Sequence, residues 1–226
     1  MTAGQFDYPV MLKLCDRLVV VVGAGRVGQR KISRLLQVGA RVRVVDPCLK
    51  DKPYPAAAVE SLGRGFESID LRGALLVFAC TDSSSVNQRV AEEAERQRIL
   101  CCRTERPFAG DFILPAVLNR GRMTVAVSTG GSSPALAAEV RDCLAETVTD
   151  SWGVSLEVVA GIRRKWLTEK IDDQYNQQVL RQFWAERLLP LIEQGKMSEI
   201  DQLLIEAFGA EYSLELLQVQ LPEGIE

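Results

Sequence analysis

The sequence predicts an α/β chain: a parallel sheet with interleaved helices comes first, a short α+β segment follows, and a helical unit forms the C-terminal part. Three observations carry this expectation. Residues Leu18–Val22 form an unbroken apolar run, mostly valine, of the kind found in strands covered on both faces. Strand-like and helix-like segments then alternate as far as residue 147, the pattern of βαβ units. From about Asp150 onward Leu, Ile, Glu, Arg and Gln recur at helical spacing and strand signals disappear. The length of 226 residues suits a standard domain with a smaller companion.

The elements follow in order. Gly23, Ala24 and Gly25 end the first strand, and 26–38 reads as a helix with Val27, Ile32, Leu35, Leu36 and Val38 near helical spacing and Gly39 as its stop. A second strand over 41–45 ends at Asp46 and Pro47 and completes a βαβ unit. A weaker strand signal covers 56–59, a clear one 75–80, then a helix runs over about 86–97 and a short strand over 99–102. Segments 112–116 and 123–127 read as further strand-containing pieces, and Pro134 sits just inside the start of a helix over 136–147. Helices over 154–170, 175–193 and 198–208 make up the tail.

Composition narrows the function classes. Hydrophobic residues at 47% and charged residues at 25% are globular averages. A net charge of −3 offers no global attraction to nucleic acid or an anionic membrane, so neither is expected as a partner, and an anionic ligand must be held by local arginines. The first residues lack a basic region followed by an apolar run, and nothing approaches the roughly 20 apolar residues of a membrane span, so a cytoplasmic protein is expected. Six cysteines without a C-x-x-C pair, in a chain with no histidine, argue against a protein-held metal and read as small buried hydrophobes. The absence of histidine also excludes Ser/His/Asp and Cys/His nucleophilic mechanisms, leaving acid–base work to Asp, Glu, Lys, Tyr or Cys.

Gly23-Ala24-Gly25-Arg26-Val27-Gly28 is a complete G-x-G-x-x-G that follows a buried-type strand and opens a helix. Asp46, at the end of the next strand, stands close to the offset of about 20 residues used by a ribose-binding carboxylate. Together they predict a Rossmann-type unit that places a dinucleotide pyrophosphate on the helix N-terminus. Asp46 would accept from a ribose hydroxyl and repel a 2′-phosphate, which favours NAD over NADP. The competing readings are a glycine-rich turn without ligand and an Asp46 that only caps the turn before Pro47.

Further segments align with the glycine loop in a fixed order over most of residues 8–149. They are Tyr8-Pro9-Val10-Met11-Leu12, Arg30-Lys31, Ala79-Cys80-Thr81-Asp82, then Asn87, Arg89 and Val90, then Phe112-Ile113-Leu114-Pro115-Ala116, and finally Val125 to Ala137 with Ser128-Thr129-Gly130-Gly131-Ser132-Ser133-Pro134. In these the chain resembles the precorrin-2 dehydrogenase/sirohydrochlorin ferrochelatase family; past residue 150 only the helical character matches. The resemblance implies NAD-dependent dehydrogenation of the tetrapyrrole precorrin-2 to sirohydrochlorin on the route to sirohaem. In some members it also implies insertion of a metal substrate, Fe2+ or Co2+. It implies a homodimer, and three regions: a Rossmann domain over 1–111, a dimerisation and substrate-site segment over 112–149, and a helical domain over 150–226.

The resemblance adds Thr81 and Asp82 to Gly23, Gly25, Arg26, Val27, Gly28 and Asp46 as cofactor-binding candidates. For a polycarboxylate substrate the candidates are Arg103, Arg106 and Arg120, with Arg122 beside them, and the loop Ser128, Thr129, Gly130 and Gly131. Each arginine can equally be a solvated charge, and the glycines can equally serve a plain turn before the Pro134 helix. The position matching the family's catalytic aspartate is Glu105, a departure that keeps the carboxylate but adds a methylene; Asp111 is the other candidate. Glu105 can also be read as an ion-pair partner of Arg103 or Arg106. The alternative function is an NAD-sensing regulatory module without catalysis, against which the arginines and the Ser128–Pro134 stretch weigh.

Overall fold

The computed structural model of the chain describes residues 7–49, 58–105, 109–169 and 183–219. By internal contacts the chain splits into two compact units, Met1–Leu114 with Gly130–Ser132, and Pro115–Thr129 with Ser133–Glu226.

The first unit is the expected α/β layer structure. Its elements are β1 (Leu18–Val22), α1 (Arg26–Gln37), β2 (Arg41–Val45), β3 (Val59–Leu62), β4 (Leu76–Ala79), α2 (Ser84–Gln97) and β5 (Leu100–Arg103). All strands are parallel, in the order β3-β2-β1-β4-β5. The central place of β1 explains its apolar run. Val19 and Val21 pack with Ile32, Leu35 and Phe78 on one face, and Val20 and Val22 pack with Leu71, Val77 and Val90 on the other. None of these four valines is more than 2% exposed, and each stabilises the unit by about 1.5 to 3 kcal/mol. The chain runs from β1 outward to β2 and later returns to the other side of β1 as β4, so the strand order reverses at the carboxyl end of β1. In open α/β sheets ligands bind at such a crevice.

The second unit begins with an antiparallel hairpin, β6 (Ala116–Arg120) and β7 (Met123–Val127), turning at Gly121 with φ +55°. Then come α3 (Pro134–Thr147), α4 (Asp150–Glu169), a π-helical turn over Phe183–Leu188, α5 (Leu189–Glu193) and α6 (Met197–Phe208). Val158, Ile162, Leu188, Ile192, Ile200 and Leu204 form its core. The wide turn lies just ahead of Pro190, which supplies no N–H to the helical ladder.

Several expectations need correction. Segment 112–116 is irregular until Ala116, because Pro115 cannot donate to a ladder, and the strand that follows runs on to Arg120. Cys80, Cys101 and Cys102 are buried as expected, but Cys15, Cys48 and Cys143 are exposed. Parts of the strand expected over 56–59 and of the helix expected over 175–193, together with Arg106, lie outside the described residues. Among the described residues no helix is long and apolar enough to cross a membrane.

Candidate functional site

The glycine loop occupies the switch point. Gly23 has φ +97°, and a Cβ there would come within 2.7 Å of the Cys80 backbone, so the loop lies directly against the end of β4. A Cβ on Gly28 would overlap the Gly23 carbonyl oxygen, which fixes how closely α1 approaches β1. Gly25 is different: nothing lies within 4 Å of the position its Cβ would take. It is the N-cap of α1, with no side-chain cap and no acidic residue in the first turn. The loop therefore has an open face beside an uncapped helix N-terminus, which fits a dinucleotide pyrophosphate. Arg26 and Val27 open the helix, with Val27 46% exposed.

Asp46 closes one side of this loop. Its Oδ2 accepts the Ala24 N–H at 2.6 Å and its Oδ1 accepts the Cys48 N–H at 2.7 Å. It thus caps the turn over Pro47, as one of the two sequence readings has it, and also ties β2 to the glycine loop. An ionised carboxylate offers about four acceptor directions, so two backbone bonds leave room for ribose hydroxyls. On the other side Thr81 follows β4. Its N–H donates to Asn87 Oδ1 at 3.1 Å, its Oγ1 lies 2.8 Å from that same oxygen, and Asn87 Nδ2 donates to the Thr81 carbonyl at 2.9 Å. Asn87 is fully buried. It pins the turn that Gly23 packs against, whereas Asp82 stands exposed within that turn. In the sequence Asn87 is no more than a letter matching the family; an asparagine one turn into a helix after a Thr-Asp pair is the signal that marks it as a buried, fully bonded amide.

Glu105 follows β5 at the same sheet edge. Arg103, 5% exposed, donates from Nη2 and Nε to Glu105 Oε1 at 2.8 and 3.2 Å. Burial acts to push the Glu105 carboxyl up, but the hydrogen bond and charge of Arg103, together with hydrogen bonds from the backbone and from Asn87, outweigh it and hold the group below the usual carboxylate range. The nearby thiols go the other way: burial pushes Cys80 up to about 11 and Cys101 up to about 12. They remain neutral thiols at neutral pH and do not compete as bases. Asp111 has a backbone task, since its Oδ2 accepts the Cys101 N–H and its own N–H donates to the Cys101 carbonyl, both at 2.8 Å. It completes the outer edge of β5, a role that argues for structure over chemistry. Arg103, buried and paired, is no free arm for a substrate carboxylate.

In the second unit Arg120 is also committed. Its Nε donates to the Val148 carbonyl at 2.8 Å and its Nη2 to the Ala145 carbonyl at 3.3 Å, so it caps the C-terminal end of α3. Arg122 is 75% exposed and 4.0 Å from Glu157. In the loop after β7, Thr129 Oγ1 donates to the Ser133 carbonyl and accepts the Ser133 N–H, while Gly130 and Gly131 take φ +59° and +79°. Ser133 then caps α3 by accepting the Leu136 N–H. Thr129 therefore holds the loop shape, and Ser128 begins it. Among the described residues no group of three or more His, Cys, Asp or Glu side chains is placed to hold a metal ion.

Residues 10–116 match the family model of NAD(P)-binding domains, and residues 120–147 match that of the central part of sirohaem biosynthesis proteins. The chain is 38% identical over 198 residues to a siroheme synthase of Thioalkalivibrio sulfidiphilus, a span covering 85% of this chain and 38% of that protein. It is 34% identical over 217 residues to a siroheme synthase of Methylococcus capsulatus, covering 90% of this chain and 44% of that one. The chain thus spans less than half the length of these curated relatives. Among solved structures SirC, a precorrin-2 dehydrogenase, superposes with a TM-score of 0.58 at 27% identity, covering 80% of this chain and 100% of SirC.

Proposed function

We propose that the chain, which matches the NAD(P)-binding and sirohaem-biosynthesis models in order and resembles siroheme synthases and SirC, is a member of the precorrin-2 dehydrogenase/sirohydrochlorin ferrochelatase family and oxidises precorrin-2 to sirohydrochlorin with NAD+, on the route to sirohaem. The observation that carries this reading is the shared sheet edge: an open glycine loop at Gly25 and a carboxylate, Glu105, paired with the buried Arg103. NAD+ supplies the acceptor for hydride. The oxidation removes two hydrogens from the macrocycle, one as hydride and one as a proton, and in a chain without histidine Glu105 takes that proton. If sirohydrochlorin then receives Fe2+ or Co2+ in the same site, the displaced pyrrole protons need the same acceptor. Incubating the purified chain with enzymatically generated precorrin-2 and NAD+ should produce the sirohydrochlorin absorption spectrum, and no spectral change would reject the reading in favour of a dinucleotide-sensing module.

Asp46 sets the cofactor preference in this reading. NAD+ should bind more tightly than NADP+, and Asp46→Ala should weaken NAD+ by about 1 to 3 kcal/mol, the scale for unmatched buried polar partners. Paired calorimetric titrations check this; equal affinities for the two nucleotides would remove Asp46 from ribose recognition.

The second unit supports a homodimer through segment 112–149. Only Ala137 of α3 is buried, while Leu136 is 55% and Val140 39% exposed. In the first unit Tyr8, Val10, Met11 and Leu12 are also exposed. Apolar surface of this kind is covered in a stable assembly. Light scattering at micromolar concentration should give twice the chain mass, and Leu136→Glu with Val140→Glu should give the single mass; a wild-type monomer would end this reading.

A further inference from the structure

Glu105 is one methylene longer than the aspartate the family places at this position, and a longer side chain has one more torsion to immobilise before its carboxylate is useful. The surroundings of Glu105 supply that restraint. Arg103 directs Nε and Nη2 to Glu105 Oε1, and its Nη1 donates to Gln88 Oε1 at 2.5 Å. Gln88 is in turn fixed by its Nε2, which donates to Glu92 Oε1 at 2.8 Å along α2. The Arg103 side chain is 5% exposed, so its charge must be met inside the protein, and Glu105 meets it. Both contacts fall on Oε1, leaving Oε2 outside the ion pair.

We propose that Arg103, anchored on α2 through Gln88, is a positioning residue that orients Glu105 for proton transfer. The inference rests on the reading of Glu105 as the proton acceptor. The planar guanidinium fork suits the task, because one face of donors grips Glu105 while another is held by Gln88. Among the described residues the titratable groups that face Glu105 are Arg103 on β5 and the thiols of Cys80, Cys101 and Cys102, all three pushed up by burial, with the neutral amide of Asn87 from α2. Arg103 is the charged member of this set, so its removal should be felt in the titration of Glu105.

The test is steady-state turnover of the whole chain with precorrin-2 and NAD+ across pH, for Arg103→Met, Gln88→Ala, Glu105→Gln and the Arg103→Met/Glu105→Gln pair. Arg103→Met should lower kcat by roughly 10-fold to 100-fold, the scale of a misplaced reacting group, and move the acidic limb of kcat to higher pH with NAD+ affinity unchanged. In the Glu105→Gln background it should remove nothing further. Gln88→Ala, at an exposed helix position, should act in the same direction but less, and it decides the matter should Arg103→Met fail to fold. A large loss in Glu105→Gln with unchanged kcat and pH limb in both Arg103→Met and Gln88→Ala would overturn the positioning role and leave the proton acceptor standing. Normal turnover in Glu105→Gln would overturn the acceptor and the positioning role together.

Discussion

Glu105→Ala should lower turnover by roughly 10² to 10⁴, the usual worth of a positioned acid or base, with NAD+ affinity little changed. The expectation rests on Glu105 standing at the carboxyl edge of the sheet and on the absence of any imidazole in the chain. Glu105→Asp should retain much of the activity, since it keeps the carboxylate and restores the length found in the family. Asp111 offers the contrast. Its carboxylate completes the backbone of β5, so Asp111→Ala should cost about 1 to 3 kcal/mol of stability by orphaning the Cys101 N–H. Thermal unfolding measured beside turnover separates the two: a Glu105→Ala enzyme of normal activity, with an Asp111→Ala enzyme that is folded and dead, would transfer the proton-accepting role to Asp111.

Gly25→Val should reduce NAD+ affinity by about 100-fold or more while leaving folding stability within about 0.5 kcal/mol of the parent. The two halves of this expectation have separate causes. Open space surrounds the position a Cβ would take at Gly25, and its φ of −63° suits any residue, so the folded chain accepts the side chain. The valine then occupies the place where a pyrophosphate would meet the helix N-terminus, and hydrogen bonds to a charged group are worth about 1.5 to 3 kcal/mol each. Gly28→Ala reverses the pattern. Its methyl would overlap the Gly23 carbonyl oxygen, forcing α1 away from β1, and overpacking of this sort costs about 1 to 3 kcal/mol or more. Differential scanning fluorimetry and NAD+ titration on both variants check this, and a Gly25→Val protein that binds NAD+ normally would put the pyrophosphate elsewhere.

Much of the first unit is legible in the sequence. The apolar run over Leu18–Val22 suits a strand covered on both faces, and the glycines at 23 and 28 each have a separate steric reason at their positions, whereas open space surrounds Gly25. The arginines are less legible. As letters, Arg103 and Arg120 are equivalent candidates for a carboxylate substrate, yet one is buried against Glu105 and Gln88 and the other closes the end of α3. A guanidinium binds whichever acceptors the fold brings near it, and those acceptors lie up to 28 residues away along the chain. Glu105 and Asp111 are open alternatives in the sequence for the same reason, and it is the backbone path of residues 109–111 along β5 that engages Asp111.

The sequence by itself determined the βαβ order, the glycine loop between β1 and α1 and the placing of Asp46 at the end of β2, because these depend on local periodicity, glycine sterics and short spacings that the chain carries in its own order. Tertiary structure decided which charges are available. It drew Arg103 inside, set Asn87 under the Thr81 turn, gave Asp46 a bond to the loop it serves, and placed Glu105 at the edge where β4 and β5 end. Burial of a charge or an amide requires a partner, and partners are chosen by the packing of strands and helices distant in sequence, which no local pattern records.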